Sequence, residues 1–136
     1  MICYYDKIDA PIGPVYLAAT QEGLVYCGTP CETADRLLDW VEKHLPGYTC
    51  QQGTNEFLAL AKEQLLAYFA GQSKELSVPL HLIGTPFQRS VWQALATIPY
   101  GETRTYGEIA KQVGRPKGPR AIGQANHRNP VSFFVP

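Results

Sequence analysis

The sequence contains 136 residues, 45% of them hydrophobic and 18% charged, a composition that suits one globular unit or two small units sharing a core. Disordered and collagen-like chains are excluded, and no run approaches the roughly 20 consecutive apolar residues of a membrane helix. Residues 1–6 lack the basic and apolar segments of a secretory signal, so we expect a cytoplasmic protein with no membrane partner.

Charge is distributed unevenly along the chain, although 12 basic residues balance 12 acidic ones. Residues 1–84 carry five basic and ten acidic side chains, whereas residues 85–136 carry seven basic and two acidic ones. A basic segment beside an acidic one is typical of a protein that meets a polyanion on one face. A chance asymmetry is the alternative explanation. The charge distribution by itself therefore only makes nucleic-acid binding the leading hypothesis.

The N-terminal part has the pattern of an antiparallel sheet covered by helices. Alternating apolar residues separated by two turns predict a three-stranded meander over residues 2–26. Leucine and valine at helical spacing then predict helices over 32–45 and 54–70. An extended piece over 76–83 leads to Gly84, where the composition changes.

We place a domain boundary at Gly84, which gives an N-terminal domain, 1–84, and a C-terminal domain, 85–136. In the second domain, helix-starting patterns predict three short helices. Two capping boxes and a proline at the first helical position mark their starts: Thr85 with Gln88, Thr105 with Glu108, and Pro119. The sequence therefore predicts an α+β protein with a mainly helical C-terminal domain.

The last two predicted helices have the layout of a helix-turn-helix, in which the second helix enters a DNA groove. The first carries Tyr106, Ile109, Ala110 and Val113 on one face. The second carries Ala121, Ile122 and Ala125 inside and Arg120, Gln124, His127 and Arg128 outside. From Thr103 to Arg128 there are six basic residues and one acidic residue, which favours phosphate contact. An ordinary helical hairpin with a solvated polar face fits the spacing almost equally well.

Small residues in the second helix bear on which groove it would enter. Ala121, Gly123 and Ala125 permit close approach of another backbone, either a second helix or a groove wall. Ordinary readers of the major groove use long side chains, so small residues beside Arg120 favour the minor groove, with the arginine inserted into the base stack. Such insertion accompanies extrusion of a base.

The four cysteines, Cys3, Cys27, Cys31 and Cys50, all lie in the first 50 residues. In an intracellular chain they are expected to be reduced thiols and to serve as small buried hydrophobic residues. Cys3, Cys27 and Cys31 with His81 could supply a structural zinc site. Such sites usually show two tight pairs of ligands, and this sequence has one. We expect no metal and no cofactor.

Five motifs of the second domain stand in register over 52 residues. They are Pro99–Thr103, Thr105–Ala110, Gly114–Lys117, Arg120–Gly123, and Asn129–Val131 followed by an apolar strand ending at Pro136. Together they resemble O6-alkylguanine-DNA alkyltransferase, also called methylated-DNA-protein-cysteine methyltransferase. The match is thinner in 1–84, where Asp9–Gly13 and the order of strands and helices resemble that family's N-terminal domain.

The resemblance implies a ribonuclease-H-like N-terminal domain and a direct-reversal DNA repair activity. A monomer would bind double-stranded DNA containing O6-alkylguanine, flip the damaged base out and transfer the alkyl group irreversibly to one of its own cysteines. Arg120 matches the arginine finger that fills the gap in the base stack, with a phosphate contact as the alternative role.

The same resemblance implies roles for other residues. Tyr106 matches the tyrosine that crowds the 3′ phosphate and lies close to the extruded guanine, and a core aromatic is its alternative role. Asn129 matches the asparagine that links the recognition helix to the active-site loop, and an Asn-Pro turn is the alternative. Further DNA contacts are implied for Gln88, Gly107, Arg115, Ala121 and Gly123.

The acceptor cysteine of the family follows Pro136, in a Cys-His-Arg run that these 136 residues do not include. The four cysteines present lie at positions that the motif does not use, so we expect these residues alone to be unable to transfer alkyl groups. An apolar strand over 131–136 would leave an exposed aromatic edge, which favours a continuing chain. The alternative functions are a lesion-binding relative without the acceptor and a helix-turn-helix transcription regulator, against which Gly123 argues.

Overall fold

The computed structural model describes residues 1–30, 32–99, 101–114 and 118–135. The chain divides into two compact units, Met1–Leu82 with Pro130–Phe133 and Ile83–Asn129 with Phe134–Pro136. The α+β class is confirmed, because a four-stranded sheet and five helices are found among the described residues. The domain boundary at Gly84 stays a prediction.

The first unit is built on a sheet with strand order β3-β2-β1-β4. Its strands are β1 (Ile2–Ala10), β2 (Gly13–Thr20), β3 (Gly23–Cys27) and β4 (Thr49–Gln52). The first three strands form the predicted antiparallel meander. The fourth pairs in parallel with β1 and was not predicted, so the sheet has one parallel edge strand beside the antiparallel meander. This short Thr-Cys-Gln-Gln segment lies at the sheet edge and has too few apolar residues to signal a strand.

Two helices of this unit, α1 (Ala34–His44) and α2 (Glu56–Phe69), lie within the predicted ranges. On α2, Leu58, Ala61 and Leu65 are fully buried, as their spacing predicted. The side chain of Asn55 caps α2 by accepting from the backbone N–H of Leu58 at 2.9 Å, and its amide donates to the carbonyl of Thr20 at 3.0 Å. The cap therefore fixes the start of α2 against the end of β2. Among the described helices, none is long and apolar enough to cross a membrane.

The described segment 76–83 makes one isolated bridge instead of a strand, in which Leu80 lies beside Leu24. The backbone N–H of Leu24 donates to the carbonyl of Pro79 at 2.9 Å, and that of His81 donates to the carbonyl of Leu24 at 2.8 Å. A Cβ on Gly23 would lie 2.6 Å from the Pro79 oxygen, so this close approach requires glycine.

The apolar strand predicted over 131–136 is wrong for its described residues, since Val131 makes a single bridge to Cys27 and a turn follows. The N–H of Cys27 donates to the carbonyl of Pro130 at 2.9 Å, and the N–H of Ser132 donates to the carbonyl of Cys27 at 3.0 Å. These two bonds hold the segment beside the end of β3.

Phe133 turns this segment with a φ of 71°, in the left-handed region that a bulky residue rarely adopts. Its ring lies 5.1 Å from that of Phe69 in an edge-on arrangement and 6.5 Å from that of Tyr68. Phe134 and Val135 are buried, so the expected exposed aromatic edge does not form among the described residues. Aromatic packing offsets the cost of the unusual backbone conformation.

The loop between β3 and α1 is held by the carboxylate of Glu32. It accepts from the hydroxyl of Tyr26 at 2.8 Å and from both the N–H and the hydroxyl of Thr29, and Arg36 lies 3.2 Å away. Partial burial raises the pKa of Glu32, but these hydrogen bonds and the guanidinium lower it more, so that its pKa lies below the usual value. The ionised carboxylate is therefore the form that stabilises the fold.

We expect Glu32→Gln to lower the free energy of unfolding by about 1.5–3 kcal/mol near neutral pH, because an amide cannot replace these charge-assisted bonds. The folded pKa lies below the unfolded value of about 4.3, so the stabilisation is complete above that pH and is lost as the pH falls through the folded pKa. Urea unfolding of the unsubstituted protein and of Glu32→Gln should be measured from pH 7 to pH 3. The difference between their free energies of unfolding should become smaller as the pH falls. The exposed residue Glu42 supplies the control, Glu42→Gln, and a difference for Glu32→Gln that is constant with pH would contradict the prediction.

The second unit contains α3 (Pro86–Ala96), α4 (Tyr106–Gln112) and α5 (Pro119–His127). All three were predicted, and they begin where the two capping boxes and Pro119 indicated. Its core consists of buried apolar side chains from the three helices, which include Val91, Trp92, Leu95, Ile109, Ile122 and Ala125.

Candidate nucleic-acid interface

Helix α4 is started by a reciprocal cap. The hydroxyl of Thr105 accepts from the N–H of Glu108 at 3.1 Å, and the carboxylate of Glu108 accepts from the N–H of Thr105 at 3.0 Å. These backbone and side-chain bonds from Thr105 lower the pKa of Glu108. Gly114, with a φ of 78°, turns the chain after the helix. The cap places Tyr106 at the first position of α4.

Helix α5 is fixed by its inward face. The indole N–H of Trp92 donates to the carbonyl of Ala125 at 2.8 Å, and Ile122 is fully buried. Ala121 is half-buried, and Ile122 and Ala125 are buried as predicted. The predicted outer face is confirmed, since Arg120, Gln124, His127 and Arg128 are all exposed.

Tyr106 lies against Gly123, a contact that sequence reasoning missed. A Cβ on Gly123 would be 3.1 Å from Cε2 of the Tyr106 ring, so a larger residue would displace the tyrosine. The side chain of Tyr106 nevertheless remains 46% exposed. The residue is thus neither a core aromatic nor a free surface side chain, and packing within the protein supplies one reason for a glycine in α5.

Arg120 is exposed in the first turn of α5, and among the described residues no hydrogen bond or ion pair holds its guanidinium. Residues three apart on a helix share a face, so Arg120 and Gly123 lie on the same side of α5. The Tyr106 ring therefore contacts α5 one turn from Arg120. An exposed cation and the position that the aromatic ring contacts therefore lie one turn apart on one face of α5.

Asn129 follows α5, and its side chain bridges the two ends of the loop over residues 129–135. Its side-chain amide donates to the carbonyl of Val135 at 2.8 Å, and the side chain is half-buried. A simple Asn-Pro turn would not require this bond six residues along the chain. The contact fixes the position of Val135 relative to the end of α5.

Three further residues were predicted to contact DNA: Gln88, Gly107 and Arg115. The side-chain oxygen of Gln88 accepts from the N–H of Thr85 at 3.0 Å, so part of this amide is used in capping α3. Gly107 is half-buried in the first turn of α4, and its nearest neighbour for an added Cβ is 3.7 Å away. Arg115 lies outside the described residues.

Two residues of the zinc hypothesis, His81 and Cys27, have other partners. His81 bonds through Nδ1 to the hydroxyl of Thr20 at 2.7 Å and through Nε2 to the carboxylate of Glu22 at 3.1 Å. Cys27 is buried and donates weakly to the carbonyl of Gly28 at 3.7 Å. In the part of the chain that the structure describes, no three potential ligands converge as a metal site. Cys31 lies outside it.

The first unit is a sheet with covering helices, and the second contains a helix-turn-helix. This combination is typical of a class of two-domain DNA-binding proteins. Residues 3–82 match the family described as 6-O-methylguanine DNA methyltransferase, ribonuclease-like domain, and residues 86–136 match the DNA binding domain of the same family. The chain belongs to the 6-O-methylguanine DNA methyltransferase family, which confirms the resemblance.

Individual relatives agree with this assignment. The methylated-DNA-protein-cysteine methyltransferase of Methanosarcina acetivorans is 48% identical over 138 residues, which cover 98% of this chain and 80% of that protein. The crystal structure of the Mycobacterium tuberculosis O6-methylguanine methyltransferase has a TM-score of 0.79 at 43% identity, covering 98% of this chain and 75% of its own. A structure of the M. tuberculosis protein OGT in complex with DNA has a TM-score of 0.77 at 44% identity, covering 98% and 74%.

Proposed function

We propose that the chain binds double-stranded DNA through α4 and α5, extrudes an O6-alkylated guanine through the minor groove, and repairs it by irreversible transfer of the alkyl group to a cysteine. The observation that carries this proposal is the contact between Tyr106 and Gly123, one turn from the exposed Arg120, on a helix whose opposite face is buried. The basic excess of residues 85–136 supports it, because phosphates dominate the affinity of such contacts.

Extrusion of a base costs a few kcal/mol, which the protein must offset with contacts to the opened duplex. Arg120 has the reach to fill the gap, and its planar guanidinium stacks on neighbouring bases. Tyr106 packs against α5 and keeps an exposed edge, so it can press on the backbone next to the lesion. The remaining DNA contacts of the proposal are Gln88, Gly107, Arg115, Ala121 and Gly123.

Alkyl transfer requires a thiolate, because displacement at an alkyl carbon needs a strong nucleophile. Burial raises the pKa of Cys3 to about 12 and also raises those of Cys27 and Cys50. These three side chains are thiols at neutral pH and are unsuited as acceptors. In the family pattern the acceptor follows Pro136, and we assign to Asn129 the positioning of that segment through its bond to Val135.

We further propose that the protein is a monomer and acts in the cytoplasm without a cofactor. Its organisation is an N-terminal domain over 1–84 and a DNA-binding domain over 85–136. A monomer suits the chemistry, because a single damaged base lacks the two-fold symmetry that dimeric readers of palindromic sites use.

Binding to matched duplexes tests the proposal. Fluorescence anisotropy should give tighter binding, by about tenfold or more, to a duplex with one O6-methylguanine than to the same duplex with guanine. A third duplex with a G·T mismatch separates recognition of the alkyl group from detection of a weak base pair. Equal affinity for the lesion and for guanine would overturn the proposal.

A mass measurement on the same samples tests the choice of acceptor. After incubation with the O6-methylguanine duplex, peptides that contain Cys3, Cys27 and Cys50 should keep their unmodified masses, because these thiols are protonated at neutral pH. A methyl adduct on any of them would contradict the assignment of the acceptor to the segment after Pro136.

A further inference from the structure

Two cysteines face each other across neighbouring strands of the first unit, far along the chain from one another. Cys3 of β1 and Cys50 of β4 are register partners in the parallel pairing of these strands. One further pair precedes them and two follow, so they lie inside the ladder. Neighbouring strands are about 4.8 Å apart, which is within the Cα separation that a disulfide spans.

The two side chains lie on the same face of the sheet, because register partners on neighbouring strands point to the same side. Burial raises the pKa of both thiols, the neighbouring Cys50 raises that of Cys3 further, and the neighbouring Cys3 offsets part of the rise at Cys50. Cys3 is fully buried, whereas Cys50 is half-buried on an edge strand that small molecules can reach. Cys50 is therefore the sulfur that an external reagent meets first.

We propose that Cys3 and Cys50 form a reversible thiol-disulfide couple that a low-molecular-weight disulfide such as oxidised glutathione converts into a cross-strand bond. The thiolate of Cys50 attacks one sulfur of glutathione disulfide, and the first glutathione leaves as a thiolate that takes up a proton. The thiolate of Cys3 then attacks Sγ of Cys50 and expels the second glutathione. Two protein thiols are oxidised and one glutathione disulfide is reduced to two glutathione molecules.

The bond would join β4 to β1 and close a loop that contains β2, β3 and α1. Cross-linking residues so far apart in sequence restricts the unfolded chain strongly, and it also prevents the short edge strand from separating. Cys27 offers no equivalent site, because its thiol is fully buried and is directed to the carbonyl of Gly28. Both protonated thiols react slowly near neutral pH, so the rate should increase as the pH is raised.

The test is incubation of the native protein with glutathione disulfide at pH 8.5, followed by intact mass and peptide mapping. We expect a loss of about 2 Da, a cross-linked peptide pair that contains Cys3 and Cys50, and reversal by dithiothreitol. The oxidised protein should melt at least about 5 °C higher than the reduced one. Cys50→Ser should abolish the cross-link and the shift in melting temperature, whereas the matched control Cys31→Ser should keep both.

Three results would overturn the inference. The first is a stable glutathione adduct of about 305 Da that does not proceed to the cross-link. The second is a disulfide that maps to a different pair of cysteines. The third is an unchanged mass of the native protein under conditions in which the urea-unfolded protein reacts, since that would mean that the fold holds the two sulfurs out of reach.

Discussion

Replacement of Trp92 by alanine is expected to lower the free energy of unfolding of the second unit by about 3–5 kcal/mol. The ring is 1% exposed, and its indole N–H donates to the carbonyl of Ala125 in α5 at 2.8 Å. Truncation leaves a large cavity between α3 and α5 and removes that bond. Urea unfolding followed by far-UV circular dichroism should give a lower midpoint, and DNA binding should be lost under conditions that unfold this unit.

Trp92→Phe separates packing from hydrogen bonding. The smaller ring keeps most of the buried apolar surface but cannot donate to Ala125, so a loss of about 1–3 kcal/mol is expected. On the other side of the ring, a Cβ on Gly84 would lie 2.6 Å from the Trp92 carbons, so Gly84 has no room for a side chain. If the alanine variant lost less than about 1 kcal/mol, the view that Trp92 joins α5 to α3 would be wrong.

Local patterns in the sequence were sufficient for the helices of the second unit. Each capping box joins residues only three positions apart, Thr85 with Gln88 and Thr105 with Glu108. The interaction that starts each of these helices can therefore be recognised from a short stretch of sequence. The exposed face of α5 was predictable for the same reason, because helical spacing alone separates its two sides.

Features that depend on distant parts of the chain were not predictable. Strand β4 exists because Thr49–Gln52 pairs with the start of β1, and its own four residues carry no strand signal. The apolar run over 131–136 predicted a strand, but Phe133 turns the chain to meet the rings of Tyr68 and Phe69. In both cases tertiary packing decided the local structure.

The candidate site was predictable in its residues but not in its arrangement. The position of Arg120 on the outer face followed from periodicity, and its role came from the resemblance. The contact between Tyr106 and Gly123 joins two helices, and the sequence of neither helix indicates it. It gives a second explanation for glycine at this position, besides close approach to a DNA groove. The bond between Asn129 and Val135 likewise needed the folded loop.

Arg120→Ala is expected to abolish most of the preference for damaged DNA, bringing the affinities for the O6-methylguanine and guanine duplexes within about twofold of each other. A base-stack filler acts only when a base has left the stack, so its loss weakens the lesion complex by about 1–3 kcal/mol. Affinity for the guanine duplex should fall only slightly, because one cation among many contributes little to non-specific binding. Anisotropy titrations with both duplexes measure the ratio.

Arg128→Ala is the matched control, since Arg128 is exposed near the end of the same helix and carries the same charge. Loss of a phosphate contact there lowers both affinities together and reduces the salt slope by about one, so the ratio between lesion and guanine stays unchanged. A 2-aminopurine beside the lesion gives a second readout, because its fluorescence rises when its neighbour leaves the stack. If Arg120→Ala lowered both affinities equally and kept this fluorescence rise, Arg120 would be a phosphate contact, and the extrusion step would need another residue to fill the gap.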